Sequence, residues 1–255
     1  TEVNIIMKKK IPQYMYTHHR DDTLGAKKYI SNCCMPIDIF DNKKKYTKLL
    51  CGSEYYPPGI DSLDAEEFVI VKKPKGSGGE GHVITKVKNV ERVQRVNHDI
   101  QYLVRPLLIN DKKFHMRTLM GFDSTNIYLP WEDSLVLLNP NEYRRGVMET
   151  EITNTAFNGS ENIKNFDTVE KILKENNLYD EFIVHMQCLK NDLKERYCSI
   201  CKTNSFDIHG IDIIIDEAGK PMIMETNPYW YSGKDEGWID KIKMFEKIMY
   251  EISNE

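Results

Sequence analysis

No stretch of this 255-residue sequence approaches the ~20 consecutive apolar residues that a helix needs to cross a bilayer. The first residues, TEVNIIMKKK, place the apolar stretch before the basic one, the reverse of a secretory signal. Cysteine is scarce: the six present are unevenly spaced and do not make a secreted disulfide framework. Cys198-Ser-Ile-Cys201 and Cys33-Cys34 are candidate halves of a zinc site. Adjacent cysteines chelate one tetrahedral ion poorly, however, so these thiols are read as buried or free. Excess charge of either sign is also missing. Thirty-five basic against 39 acidic residues give a net charge of −4 and a pI near 6.0, which argues against a nucleic-acid binder. Lys8–Lys10 and Lys43–Lys45 read as solvated faces. There is no internal repeat and no low-complexity segment. What is present, 40% hydrophobic and 29% charged residues, fits a globular cytoplasmic chain of one large domain or two to three small subdomains.

Residues 1–64 mix short apolar pieces with breakers, among them Pro36 and Tyr55-Tyr56-Pro57-Pro58-Gly59, and form the least legible segment. Beyond them the periodicity sharpens. Phe68–Val71 is a compact run of strand formers bounded by Pro74, and His82–Val87 reads as its hairpin partner. Val90–Val96 reads as a short helix, Ile100–Val104 as a strand closed by Pro106, and Lys113–Phe122 as a longer strand paired with Ile127–Leu129. Two helices follow. Asp167 is a candidate N-cap ahead of Val169, Ile172 and Leu173, and Phe182, Ile183, Met186, Leu189 and Leu193 make an apolar stripe that reads as core. A hairpin joins Gly210–Ile215 to Pro221–Thr226 over a turn at Glu217–Lys220, and Glu236–Ile252 reads as an amphipathic helix. Strands and helices without regular βαβ alternation predict an α+β chain with antiparallel sheets.

Three groups of residues carry chemistry. The first runs from Lys72 and Lys73 through Pro74 and Lys75 into Gly76-Ser77-Gly78-Gly79-Glu80-Gly81. Glycines let backbone N–H groups approach phosphate oxygens, and a lysine supplies the countercharge. No Gly-Lys-Ser/Thr closes this loop and a strand follows it, so it is not a Walker A motif. A flexible hairpin turn is as good a reading of these residues alone. The second group is Asp212, Glu225 and Asn227. A four-residue turn puts Asp212 opposite Glu225, and Asn227 shares the face of Glu225. Two carboxylates and an amide oxygen on one sheet face make a hard oxygen site of the kind Mg²⁺ takes when it also holds substrate phosphates. Ile211, Ile213, Ile215, Met222 and Met224 are expected on the opposite face. The third group is Lys113, His115 and Arg117, which alternate along one strand and face one way. Such a basic comb suits a triphosphate or a developing acyl phosphate, although an exposed amphipathic strand is the better reading of these residues taken alone.

Taken in order, these pieces resemble the ATP-grasp superfamily, specifically its tubulin–tyrosine ligase-like branch. The resemblance rests on Lys72 to Gly81, on Tyr-Leu-x-x-Pro-Leu-Leu-Ile at 102–109 with Lys113-Phe114-x-x-Arg117, on Thr153-Asn154, and on Phe206-x-x-x-Gly210-x-Asp212 leading to Glu225-Thr-Asn227. It covers about residues 66–230. It implies a nucleotide bound between two subdomains, with residues 1–64 as a reduced N-terminal subdomain, 65–106 as the central one and 107–255 as the C-terminal one. It implies that Lys72, with Lys73 beside it, meets the ATP phosphates under a cover of Ser77, Gly78 and Gly79. Gln101, Tyr102 and Leu103 would line the adenine, Lys113 would approach the nucleotide with Thr153 and Asn154, and Arg117 would stabilise the transferred phosphoryl group. Asp212, Glu225 and Asn227 would hold Mg²⁺. The implied reaction phosphorylates a carboxylate and lets an amine displace the phosphate, forming an amide, with a protein or peptide tail among the candidate acceptors. A small-molecule kinase and a non-catalytic nucleotide-binding protein are the alternatives. Three features depart from the family pattern: His115 stands where an aspartate is usual, Tyr128–Ser134 lacks the arginine expected to help bind the amino-acid or acyl group, and the N-terminal region is short and unmatched.

Overall fold

The computed structural model describes residues 16–17, 30–31, 39, 42–74, 81–153, 163–201 and 206–227, and the structural statements below concern these. The glycine-rich loop at 75–80, Asn154, Cys33-Cys34 and the expected helix at 236–252 lie outside them.

Two short strands, β1 (Tyr16–Thr17) and β2 (Ile30–Ser31), pair antiparallel. Helix α1 (Lys43–Leu50) starts behind Asn42, whose side chain accepts from the backbone N–H of Lys44 and Lys45. A three-stranded antiparallel sheet follows, with β3 (Phe68–Lys72) between β4 (Val83–Lys86) and β5 (Asp99–Tyr102). The expected helix at 90–96 forms as α2 (Arg92–Asn97), capped by Glu91 and Gln94 bonding to each other's backbone. Val69 and Val71 of β3 meet Val87, Val90 and Ile100 in a small core of their own.

The larger sheet has seven strands: β6 (Leu108–Ile109), β7 (Lys112–Asp123), β8 (Ile127–Tyr128), β9 (Leu135–Leu138), β10 (Ile163–Asn165), β11 (Phe206–Ile215) and β12 (Pro221–Asn227). Their order is β10-β9-β7-β11-β12, with β6 and β8 also paired to β7, and every pairing is antiparallel. Asn110 and Asp111 both sit at positive φ, 49° and 59°, and close the β6–β7 hairpin in two residues. Asn and Asp tolerate that region better than other non-glycine residues, and a primed turn matches the twist of the strands it joins.

Helix α3 (Met148–Glu151) is one turn; α4 (Asp167–Glu175) and α5 (Tyr179–Cys198) cover the back of the large sheet. The apolar stripe of α5 is core, as its spacing predicts. Phe182, Met186, Leu189 and Leu193 are wholly buried with Tyr197, against Phe114, Met116, Phe122, Ile211 and Ile213 from the sheet. Burial of each such side chain stabilises the fold by ~1.5–3 kcal/mol. Tyr46, Leu50, Tyr55 and Tyr56 belong to the same core, so the described part of the N-terminal segment packs with the large sheet.

Two expectations are corrected. Asp167 is the first helical residue of α4, not its N-cap: Phe166 before it already has helical angles and no side chain caps the helix. Its carboxylate still stands in the first turn, where it complements the helix dipole. The second correction concerns the β11–β12 hairpin. Asp212 does pair with Glu225, but the turn is residues 216–220, one longer than expected, and a β-bulge at Met224 restores the register. In a bulge two residues oppose one and a side chain is re-aimed. Met222 and Met224 therefore pack beside Ile214 and Val104 on the face of Asp212, while Ile211, Ile213 and Ile215 fill the main core as expected.

Candidate functional site

Period-two alternation along β7 sends Phe114 and Met116 into the core and presents Lys113, His115 and Arg117 on the other face. Arg117 is the cross-strand partner of Asp212 on β11, and Asp212 is the partner of Glu225 on β12. Three adjacent strands thus set an arginine and two carboxylates in one row. This row forms the wall of a cavity whose opposite wall is the small sheet, with Ile70 and Lys72 from β3 and His82 ahead of β4. Lys43, Glu151, Ile152, Thr153, Ile214 and Met224 complete the lining. Sheet register brings together Lys72, Lys113, His115, Arg117, Thr153, Asp212 and Glu225, residues up to 153 positions apart in the chain.

The charges are closely arranged. Arg117 donates to Asp212 through both Nε and Nη2, at 2.7 and 2.6 Å, a bidentate pair that fixes the two side chains relative to each other. Burial raises the Asp212 carboxyl, but the Arg117 charge and its hydrogen bonds outweigh this and hold it below the usual carboxylate range. The Asn227 amide reaches both Asp212 Oδ2 and Glu225 Oε1 at 3.4 Å, so the three residues converge as their spacing predicts. Lys113 and Glu151 form a buried ion pair at 2.6 Å, and Glu151 also accepts from Tyr143 Oη at 3.1 Å and from the Gly146 N–H at 3.0 Å. Gly146 has φ +83° and lies against the Phe68 ring, leaving no room for a Cβ.

His115 is buried, and its Nδ1 shares a hydrogen bond with Thr153 Oγ1. Its Nε2 has no hydrogen-bond partner among the described residues; Asp212 Oδ1 stands 3.7 Å away. Burial lowers its pKa to about 4, so the imidazole is neutral at ordinary pH. His82 is likewise lowered to about 4, by burial first and then by Lys72 and Lys43.

Lys72 is buried, donates to Gln101 Oε1 at 2.7 Å and reaches the Met224 carbonyl at 3.4 Å; burial lowers its pKa. Lys73 is exposed and lies outside the cavity lining. Gln101, Tyr102 and Leu103, expected along an adenine, do not line this cavity. The Gln101 side chain points to Lys72, Tyr102 lies against Arg145, and Leu103 is buried with its N–H on the Phe68 carbonyl. Ser77, Gly78, Gly79 and Asn154 are outside the described residues.

Sequence reasoning missed Lys43, His82 and Glu151. His82 follows the last glycine of the loop and Glu151 stands two residues before Thr153, so proximity to predicted site residues was the available signal. Lys43 carried no such signal, because only the packing of α1 brings it to the cavity. Among the described residues no three His, Cys, Asp or Glu side chains gather into a metal-sized cluster. Two carboxylates and one amide still fit magnesium, which takes few protein ligands and fills its shell with phosphate oxygens and water. The lining carries four cations, Lys43, Lys72, Lys113 and Arg117, against three carboxylates, Glu151, Asp212 and Glu225.

No curated protein matches the chain. The family model described as the tubulin-tyrosine ligase family matches residues 38–200, from just ahead of α1 to the end of α5. The match takes in Lys72, Lys113, His115, Arg117, Glu151 and Thr153, and stops short of Asp212, Glu225 and Asn227. With its antiparallel α+β sheets and a match over more than half its length, the chain belongs to the tubulin-tyrosine ligase family, a family of ligases with an ATP-grasp-like fold.

Proposed function

We propose that this protein is an ATP-dependent ligase that joins a carboxylate to an amine, with MgATP bound in the cavity between the two sheets. The observation that carries this reading is the row Arg117–Asp212–Glu225 across three strands, facing Lys72 on the small sheet. Four cations against three carboxylates in the lining favour a nucleotide that arrives with a divalent cation over bare ATP, whose charge the carboxylates oppose. Asp212, Glu225 and Asn227 would hold that magnesium, which neutralises phosphate charge when bound. Lys72 and Lys113 would meet phosphate oxygens, and Arg117, fixed by Asp212, would face the phosphoryl group in transfer to the carboxylate. His115, neutral and buried, is held by Thr153 with Nε2 turned toward this group of charges. ATP phosphorylates the carboxylate with release of ADP, and the amine then displaces phosphate to give the amide. A protein or peptide tail as acceptor and a cytoplasmic location belong to the same proposal.

The test is Mg²⁺-dependent ADP release with pooled amino acids and a carboxylate-rich peptide library, with Glu225→Gln as control. ADP release that needs both an amine and a carboxylate, and that falls ~100-fold or more in the control, is the expected result. Release that needs no amine would make the enzyme a kinase. MgATP binding without any release would leave a nucleotide-binding protein.

A further inference from the structure

We infer that Gln101 is a positioning residue that holds the Lys72 ammonium toward the nucleotide phosphates, and not a contact for the base. The inference rests on the proposed reading of the cavity. Among the cavity's cations, Lys113 has Glu151 against it and Arg117 has Asp212. Lys72 is held differently: its two hydrogen-bond partners among the described residues, Gln101 Oε1 and the Met224 carbonyl, are both neutral. An ammonium has three donors, so two neutral acceptors fix its position and leave one donor over, while the carboxylates that favour its charge, Asp99 and Glu225, act on it through space without a direct ion pair. That is what a lysine meant for an incoming anion requires.

The amide of Gln101 is turned the right way by what lies behind it. Its Nε2 donates to Asp99 Oδ2 at 2.8 Å and to Tyr56 Oη, so only Oε1 is left to face Lys72. Asp99 and Tyr56 are in turn joined by Thr47, whose hydroxyl lies 2.7 Å from Asp99 Oδ1 and 2.8 Å from Tyr56 Oη. The residues of this chain come from α1, the 55–59 turn, β3 and β5, and Gln101 is only 2% exposed. A side chain so enclosed reaches the cavity through the lysine alone.

The discriminating experiment measures binding of MgATP and of magnesium tripolyphosphate, which has no base, to the full chain, to Gln101→Met, to Lys72→Met and to the double variant. Met keeps the volume of Gln and removes its hydrogen bonds. The expected result is that Gln101→Met weakens both ligands by a similar factor of ~10, and that adding it to Lys72→Met changes affinity by less than about twofold. Gln101→Asn, which draws the amide back by one methylene, is the second probe if the Met variant melts too early; it is expected to weaken both ligands likewise. Loss of ATP binding with tripolyphosphate binding unchanged would overturn the inference and return Gln101 to the base. Additive losses in the double variant would overturn it too, as would unchanged affinity for both ligands. A native chain that binds no MgATP would instead overturn the proposed function, and this inference with it.

Discussion

Lys113 and Glu151 lie 2.6 Å apart with almost no exposure, and such a pair stands or falls together. Removing one partner leaves a buried charge without its counter-ion, which costs more than the pair itself contributes. Glu151→Ala is therefore expected to lower stability by ~3–5 kcal/mol in urea unfolding. In a Lys113→Met background the same change is expected to cost much less, because no buried ammonium is left behind. Glu151 also receives the Tyr143 hydroxyl and the Gly146 N–H, so part of the loss persists in that background. At His115 burial overrides residue type. In sequence it was one member of a basic comb. In the structure burial keeps it neutral, and the comb is two cations around an imidazole.

At the scale of elements, α5 is the strongest case of pattern becoming packing. Leu189 is wholly buried in the main core, whereas Val184 on the same helix is 61% exposed. Leu189→Ala is expected to destabilise the protein by ~3 kcal/mol, and Val184→Ala by less than ~0.5 kcal/mol, both read from urea midpoints at constant slope. Strands with clear alternation or β-branched runs, β3, β7, β11 and β12, were legible for the same physical reason: one face or both must be buried. Leu108–Ile109, Leu135–Leu138 and Ile163–Asn165 were not. They are short, and β6 and β10 become strands only because β7 and β9 offer them hydrogen-bonding edges, which no local propensity records.

For the molecule as a whole, the site depends on two sheets meeting. Asp212, Glu225 and Asn227 were readable because they lie on one hairpin, and Lys113, His115 and Arg117 because they lie on one strand. Their union with Lys72, Lys43, His82 and Glu151 was not, since it depends on how separate elements pack. A ligand seated between the sheets binds the folded chain and not the unfolded one, so it stabilises both together. MgATP at ~100 times its dissociation constant should add ~2.7 kcal/mol, a rise of ~5–10 °C in melting temperature for a chain of this size. ATP with EDTA should give much less of that rise, since the carboxylates would then face an unaccompanied triphosphate. Differential scanning fluorimetry reads both.

The extra residue at Met224 has a consequence for how this protein is probed. The pairs Asp212–Glu225 and Ile213–Ile223 flank it, so the strand carries one residue more than its neighbour requires. What that residue adds at the cavity is its main-chain oxygen, 3.4 Å from Lys72 Nζ. No replacement of the side chain removes a carbonyl. Alanine scanning would score position 224 as a modest apolar contact, and only shortening the chain there would expose its tie to the lysine.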